Sequence, residues 1–406
     1  MKRKSTYQSS RKALVSAAIL ALLMVMGIFS PAKAQTLPRP DHIIIIIEEN
    51  QPNAWIVGNT PAPLQSQPPS VIAPYINSLA HDTDAVIFQK LYALEHPSQG
   101  NYLDFFSGSN QGVLDDNLPA NYPFTTPNLA RELLDHGYSF ATYSQDLPSV
   151  GSDAQNSTTG SYARKHNPVT NWVGTGQNQV PDTLNQPFTA LPTDFSKLPT
   201  VCYIVPDEDS DMHNGSYPST VTIADYWMQV HCSNLIDWAR THNSLVIYTF
   251  DEDDGFYANN IPTIFIGPMV KAGTNSTTYD LYSILRTIED MYGLGTHAGA
   301  AASAIDISDV WKSAPSGINQ ISSDAPSLRV YPNPASSTLS FDAGRFADAS
   351  GEVSITDVTG RVIAQIAMPE SKKLTINTSE YLTGLYFYHF THGTSTETGK
   401  FTVAHQ

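Results

Sequence analysis

The chain has 406 residues, with 38 Asp and Glu against 22 Lys and Arg and a formal charge of −16. That length accommodates one large domain and a small one. The acidic excess argues against a nucleic-acid partner, whose phosphates need clustered Lys and Arg, and an anionic substrate would need a local positive charge such as a bound metal ion.

Lys2, Arg3, Lys4, Arg11 and Lys12 precede an apolar run from Ala13 to Phe29, and Ala32-Lys33-Ala34 supplies small residues for cleavage. This predicts a secretory signal peptide over residues 1–34, the run being short for a retained anchor. Without that segment, which holds six of the basic residues, the charge would be near −22.

"DHIIIIIEEN" follows, five isoleucines that do not alternate with polar residues. An unbroken β-branched run fits a strand covered on both faces, as in a parallel sheet between helices. Ligands bind outside the carboxyl ends of such strands, where Glu48, Glu49 and Asn50 would lie; a core strand running into a solvated turn fits equally. A Pro/Gln-rich loop and a short helix from Val71 to Ala80 come next. "AVIFQKLYAL" reads as a strand, "NYLDFFSG" as a helix, and "PNLARELLDHG" as a helix stopped by Gly137. "YSFATYS" and "VCYIVP" are strands separated by about 55 residues rich in Asn, Thr, Pro and Gln, a length typical of a lid or substrate wall. "IADYWMQVHCSNLIDWARTH" is an amphipathic helix, "SLVIYTF" and "IPTIFIG" are buried strands, and "YDLYSILRTIEDMYGLG" closes the domain. Strands alternating with helices over 35–312 predict an α/β three-layer fold with a mostly parallel sheet.

Residues 313–325 read as a linker. Residues 326–406 show short strands separated by turn residues, a small all-β sandwich without a cluster of His, Cys or carboxylates. Cys202 and Cys232 lie in a predicted strand and the next helix. In an exported chain they suit a disulfide or two buried thiols.

Polar groups gather at predicted strand ends. Glu49 and Asn50 follow the first strand and Asp251 to Asp254 another; two acidic clusters there repel unless protonated or bridged by a cation. Glu49, Asn50, Asp251 and Glu252 offer oxygen ligands suited to one hard divalent ion, Ca²⁺, Mg²⁺ or Mn²⁺, with Zn²⁺ less favoured; two solvated acidic turns are the alternative. In "EHPSQGNY", Ser98 precedes a helix, where it is an ordinary N-cap or a metal-activated nucleophile at an anion-binding helix start. Asp211 and His213 follow the strand Val201–Val205, and His166 lies in the long loop. A histidine cation there would neutralise phosphate oxygens or protonate a leaving alkoxide, or simply be solvated.

"IIIIEEN", "HPSQGNYLDFFSGS", "KHNP", "VPDEDSDMH", "YTFDEDDG", "IPTIFIGPMVKAG" and "YSILRTIEDMYGL", in that order over about residues 40–310, resemble the phosphoesterase family of bacterial acid phosphatases and phospholipases C, within the alkaline-phosphatase-like superfold. The resemblance implies metal ligands at Glu49, Asn50, Asp251 and Glu252, a nucleophile at Ser98 and a phosphate-holding amide at Asn101. It places His166, Asp211 and His213 around the leaving group. A histidine expected near the start of "IPTIFIG" is missing, which leans the reading towards a phosphomonoesterase acting through a phosphoserine and away from a phospholipase C on phospholipids. A surface binding protein holding structural calcium is the non-enzymatic alternative. "VYPNPASSTLSFD", "DVTGRVI" and "LTGLYFYHFTHGTSTETGKFTV" resemble the sorting domain of the type IX secretion system. This implies that secretion machinery as a partner and an export route across the outer membrane, with release or attachment to the cell surface.

Overall fold

A computed structural model describes residues 37–58, 68–158, 160–312, 328–343, 351–392 and 395–405. The expected signal peptide and linker lie outside them. The chain divides into two compact units, Met1–Ala314 and Pro315–Gln406.

The first unit is built on an eight-stranded sheet. Its strands in chain order are β1 (His42–Glu48), β2 (Ala85–Phe88), β3 (Phe140–Ser144), β4 (Asn185–Pro187), β5 (Val201–Val205), β6 (Ser244–Phe250), β7 (Ile264–Ile266) and β8 (Gly273–Asn275). Their order across the sheet is β4-β3-β5-β1-β6-β7-β2-β8, and only β7 runs antiparallel to its neighbours. The isoleucine run is the central strand: Ile43–Ile46 pair with β5 and Ile43–Ile47 with β6. None is exposed by more than 1%. Each such burial contributes about 1.5–3 kcal/mol, which explains why the run does not alternate.

Helices cover both faces: α1 (Pro74–Ala80), α2 (Ser98–Ser107), α3 (Leu129–Asp135), α4 (Ser219–Thr241) and α5 (Leu281–Tyr292). Phe105 and Phe106 of α2 pack on Tyr203 and Phe140 of the sheet, with ring centroids 5.6–6.1 Å apart. α2 ends at Gly108, at φ 68°, where a Cβ would sit 2.0 Å from the Ala298 carbonyl oxygen, so only glycine permits this approach.

Three elements differ from the sequence reading. The helix expected over Val71–Ala80 is two pieces, Pro69–Ile72 and α1. Pro74 has no N–H to continue the first piece and instead starts the second. The strand expected over 85–94 is split into β2 and Leu91–Tyr92 by the exposed pair Gln89-Lys90. The third is α2, which begins three residues earlier than expected, at Ser98. Cys202 and Cys232 are buried free thiols. No helix among the described residues is long and apolar enough to cross a membrane.

The second unit is all antiparallel, in sheets of three and four strands. Leu339 and Phe341 of the smaller sheet share one core with Val353, Ile355, Phe390 and Phe401 of the larger, the small sandwich expected from the turn spacing.

Candidate active site

Side chains alternate along a strand, so the end of β1 presents two carboxylates to opposite faces. Glu49 turns towards α2, where its Oε1 accepts the Tyr102 hydroxyl at 3.0 Å. Glu48 is buried with neither oxygen partnered. Burial first, and then Asp211, push its carboxyl well up. Asn50 turns the chain in the left-handed region at φ 57°, which asparagine tolerates; its Nδ2 donates to Glu49 Oε2 at 2.9 Å and its N–H to Asp251 Oδ1 at 3.3 Å.

Ser98 opens α2 beside these groups. Its Oγ lies 3.1 Å from Glu49 Oε2 and 3.0 Å from Glu252 Oε1, and the residue is 2% exposed. One hydroxyl proton faces two carboxylates. Asp251 stands in the same cluster, its Oδ2 buried without a partner. Burial, Glu49 and Glu252 hold the Asp251 carboxyl well above its ordinary range, and burial with Glu49 raises that of Glu252. Three carboxyls around one hydroxyl, with an orphaned oxygen among them, make a donor set that a divalent cation would satisfy.

His166 is buried rather than solvated. Its ring stacks on Tyr102 with centroids 5.1 Å apart, its Nε2 lies 2.8 Å from Glu49 Oε1, and its Nδ1 lies 3.3 Å from Asp211 Oδ2. Burial alone would lower its pKa, but Glu49 and Asp211 outweigh it and raise the imidazole to about 10. Glu49, opposed by burial but held by the His166 charge, falls to about 2, while burial keeps Asp211 up at about 6. Met212, at φ 80°, sits in a region costly for a side chain of its size. It turns the chain so that the His213 N–H donates to Asp211 Oδ1 at 2.8 Å. His213 Nε2 accepts from Lys165 Nζ at 3.0 Å, an ammonium having only donors. Glu49, His166 and His213 also place ligand atoms within 4.8 Å of one another. This second set overlaps the carboxylates at Glu49, and with both imidazoles deprotonated it would suit zinc as well as harder ions.

Asn101 is placed differently from the sequence expectation of a phosphate-holding amide. Its Oδ1 accepts from the N–H groups of Leu94 and Glu95 at 2.9 and 3.1 Å, and its Nδ2 donates to the Glu95 carbonyl at 2.7 Å. With no exposed surface, it holds the loop that delivers Ser98. The start of α2 is likewise engaged: the Gln99 N–H donates to Asp116 Oδ1 at 3.0 Å.

Four participants went unassigned in the sequence. His96, two residues before Ser98, has Nδ1 2.6 Å from Glu252 Oε2 and Nε2 3.5 Å from Asp253 Oδ1. Tyr102 is one helical turn after Ser98, a spacing that could have pointed to it. Lys165 adjoins His166 in sequence and lies 3.4 Å from both Asp116 and Glu208. Asp253 clamps its own loop through Gly255, Tyr257 and Asn259 N–H groups. Where a histidine was expected before "IPTIFIG", Asn259 and Asn260 donate to carbonyls of Glu95, Gln89 and Leu91.

The Ser98 hydroxyl therefore stands among carboxylates at the carboxyl end of a mostly parallel sheet. The chain belongs to the phosphoesterase family, whose model matches residues 67–295. It is 40% identical over 280 residues to the phosphatidylinositol-3-phosphatase of Mycobacterium tuberculosis, covering 68% of this chain and 85% of that protein. It is 27% identical over 238 residues to the phosphate-repressible acid phosphatase of Penicillium chrysogenum, 56% of each chain. A solved structure of an alkaline phosphatase superfamily protein from Vibrio parahaemolyticus is similar over 86% of this chain and 83% of its own, at 13% identity and a TM-score of 0.45. Residues 329–404 match the secretion system C-terminal sorting domain, which marks the protein for secretion across the outer membrane.

Proposed function

We propose that the protein is a secreted, metal-dependent phosphomonoesterase in which Ser98 is the nucleophile. The observation carrying this reading is the Ser98 hydroxyl held between Glu49 and Glu252 at 3.1 and 3.0 Å. A divalent ion held by Glu49, Asp251 and Glu252 would supply Lewis-acid polarisation and offset their mutual repulsion. Glu252, the more basic of the two neighbouring carboxylates, takes the Ser98 proton as Oγ attacks phosphorus, forming a phosphoserine and releasing the alcohol. His166, a fixed cation in the interior, balances the charge that accumulates. His213, beside Asp211, is the residue that would hand the leaving oxygen a proton, with solvent restoring it afterwards. Water then attacks the phosphoserine and inorganic phosphate leaves. The relatives named as phosphatases support a monoester substrate, and the sorting domain supports the type IX machinery as partner and the cell surface as one destination. The test is hydrolysis of p-nitrophenyl phosphate with and without a chelator, combined with trapping of the phosphoenzyme. Chelator-sensitive turnover with phosphate on Ser98 is expected. Turnover with no phosphoserine after acid quench rejects the two-step route.

A further inference from the structure

We infer that Asp146 and Asp207, supported by the charge of Asp209, form a calcium site separate from the carboxylates around Ser98. The three residues lie on the loops that leave β3 and β5. Asp207 is 6% exposed, and its Oδ1 is buried without a hydrogen-bond partner. Besides the Ser210 hydroxyl, the side chains facing its carboxyl are those of Asp146, within hydrogen-bond reach, and Asp209. A buried acceptor turned towards other acceptors needs a proton or a cation between them.

The surroundings select a hard cation. Among the described residues no lysine, arginine or histidine forms an ion pair with any of the three; Lys165 is engaged by Asp116 and Glu208, and Arg164 by Asp153. Burial first, opposed by Ser210, and then Asp146 and Asp209 push the Asp207 carboxyl up to about 6. At neutral pH it is therefore a charged group held against like charges, and a divalent ion turns that repulsion into attraction. The donors are oxygens. Ca²⁺ accepts irregularly spaced carboxylates and completes its shell with water, whereas Mg²⁺ demands a near-ideal octahedron.

The carboxylates are fixed by the loop that folds over them. The Ser161 N–H donates to Asp146 Oδ2 at 3.3 Å, while the Ser161 hydroxyl and, at 2.9 Å, Asn214 Nδ2 donate to Asp209. A Cβ on Gly160 would lie 1.7 Å from Asp146 Oδ2, so glycine is what lets this backbone close over the carboxylate. The Glu208 N–H donates to the Ser161 carbonyl at 3.0 Å and the Asp207 N–H to Gln145 Oε1 at 3.3 Å. The Asp207 carbonyl in turn accepts the Ser210 and Asp211 N–H groups at 2.8 and 2.9 Å, opening the turn that carries Asp211 and His213. Calcium here locks the long segment between β3 and β5 and, through it, the His213 loop. Two protein carboxylates give an affinity in the range of extracellular calcium modules, a Kd of about 10⁻⁴–10⁻³ M, which suits an exported protein.

The experiment counts bound calcium by equilibrium dialysis of the full-length protein at millimolar calcium chloride, for the wild type, Asp207→Asn, Asp146→Asn and Asp251→Asn. Limited proteolysis within residues 145–200 is followed with and without the ion. Asp207→Asn and Asp146→Asn are each expected to lose one equivalent of calcium that Asp251→Asn retains, and to lose the protection from proteolysis that calcium confers on the wild type. Either new amide can donate to the carboxylate that remains, and Asp146 is exposed, so its variant reads the site even if Asp207→Asn does not fold. Equal calcium in the wild type and both loop variants, or an equivalent lost only in Asp251→Asn, overturns the site. Neither result depends on turnover of an ester, so this site and the phosphatase reading stand or fall separately.

Discussion

The Ser98 hydroxyl and the Glu252 carboxylate, 154 positions apart in the chain, meet at 3.0 Å. The contact joins the start of α2 to the end of β6. Replacing Ser98 by Ala removes one oxygen and leaves the helix intact. Turnover of p-nitrophenyl phosphate is expected to fall by a factor on the order of 10³ or more, with an unchanged melting temperature. Retention of most activity in the purified variant would reject Ser98 as nucleophile.

The crowding of Glu49, Asp251 and Glu252 makes opposite demands with and without a cation. A bound ion at about 100 times its Kd stabilises the fold by about 2.7 kcal/mol, so a chelator should lower the melting temperature of the wild type. Asp251→Asn removes one repelling charge, and in the presence of chelator it should melt at or above the wild type while losing the metal-induced rise. Differential scanning calorimetry of both proteins in both conditions reads this directly. A chelated variant melting well below the chelated wild type would contradict it.

Glu132 on α3 and Glu289 on α5 form a second buried carboxyl pair, away from the β1 carboxylates, in which burial pushes Glu132 up to about 7 and Glu289 up to about 9 from the ordinary 4.5. The folded state therefore holds these protons more tightly than the unfolded chain. Their stabilising contribution is complete below pH 4.5 and is lost as pH rises through about 7 and then about 9. Melting temperature should decline across that window, and Glu289→Gln, which keeps an oxygen for the Ala298 N–H now 2.9 Å from Oε1, should flatten the decline. Identical pH profiles for the two proteins would remove the pair as the cause.

Arg164 pins the long segment between β3 and β5. Its Nε lies 2.6 Å from Asp153 Oδ1, its Nη1 donates to Asn171 Oδ1 at 2.8 Å, and its guanidinium lies 4.5 Å from the Tyr122 ring centre. Arg164→Met keeps the bulk and loses these partners, at an expected cost of about 2–3 kcal/mol. Limited proteolysis should then cut within residues 145–200 faster than in the wild type. An unchanged cleavage pattern would show that the segment is held by other contacts.

Much was legible in the chain alone, because hydrophobic period and turn chemistry are local. The isoleucine run announced a strand covered on both faces, and its abrupt end in Glu48-Glu49-Asn50 pointed to the edge of the sheet where the carboxylates gather. The "HPSQGNY" and "YTFDEDDG" stretches gave Ser98, Asp251 and Glu252. Local pattern does not say where a side chain's hydrogen bonds go. Asn101 was read as a ligand for phosphate, yet its amide is taken up by the backbone of Leu94 and Glu95. His166, read as a candidate near the leaving group or a solvated loop residue, is buried between Glu49 and Asp211. His96, Tyr102 and Lys165 acquire their partners only when β1, α2, β6 and the long loop converge. The sequence by itself determined which strands are central and which ends carry charge, since burial and alternation are written in residue type. The tertiary structure decided which charges face one another, and therefore which are paired and which are left to a ligand, because Coulombic and hydrogen-bond energies depend on distances that sequence spacing does not set.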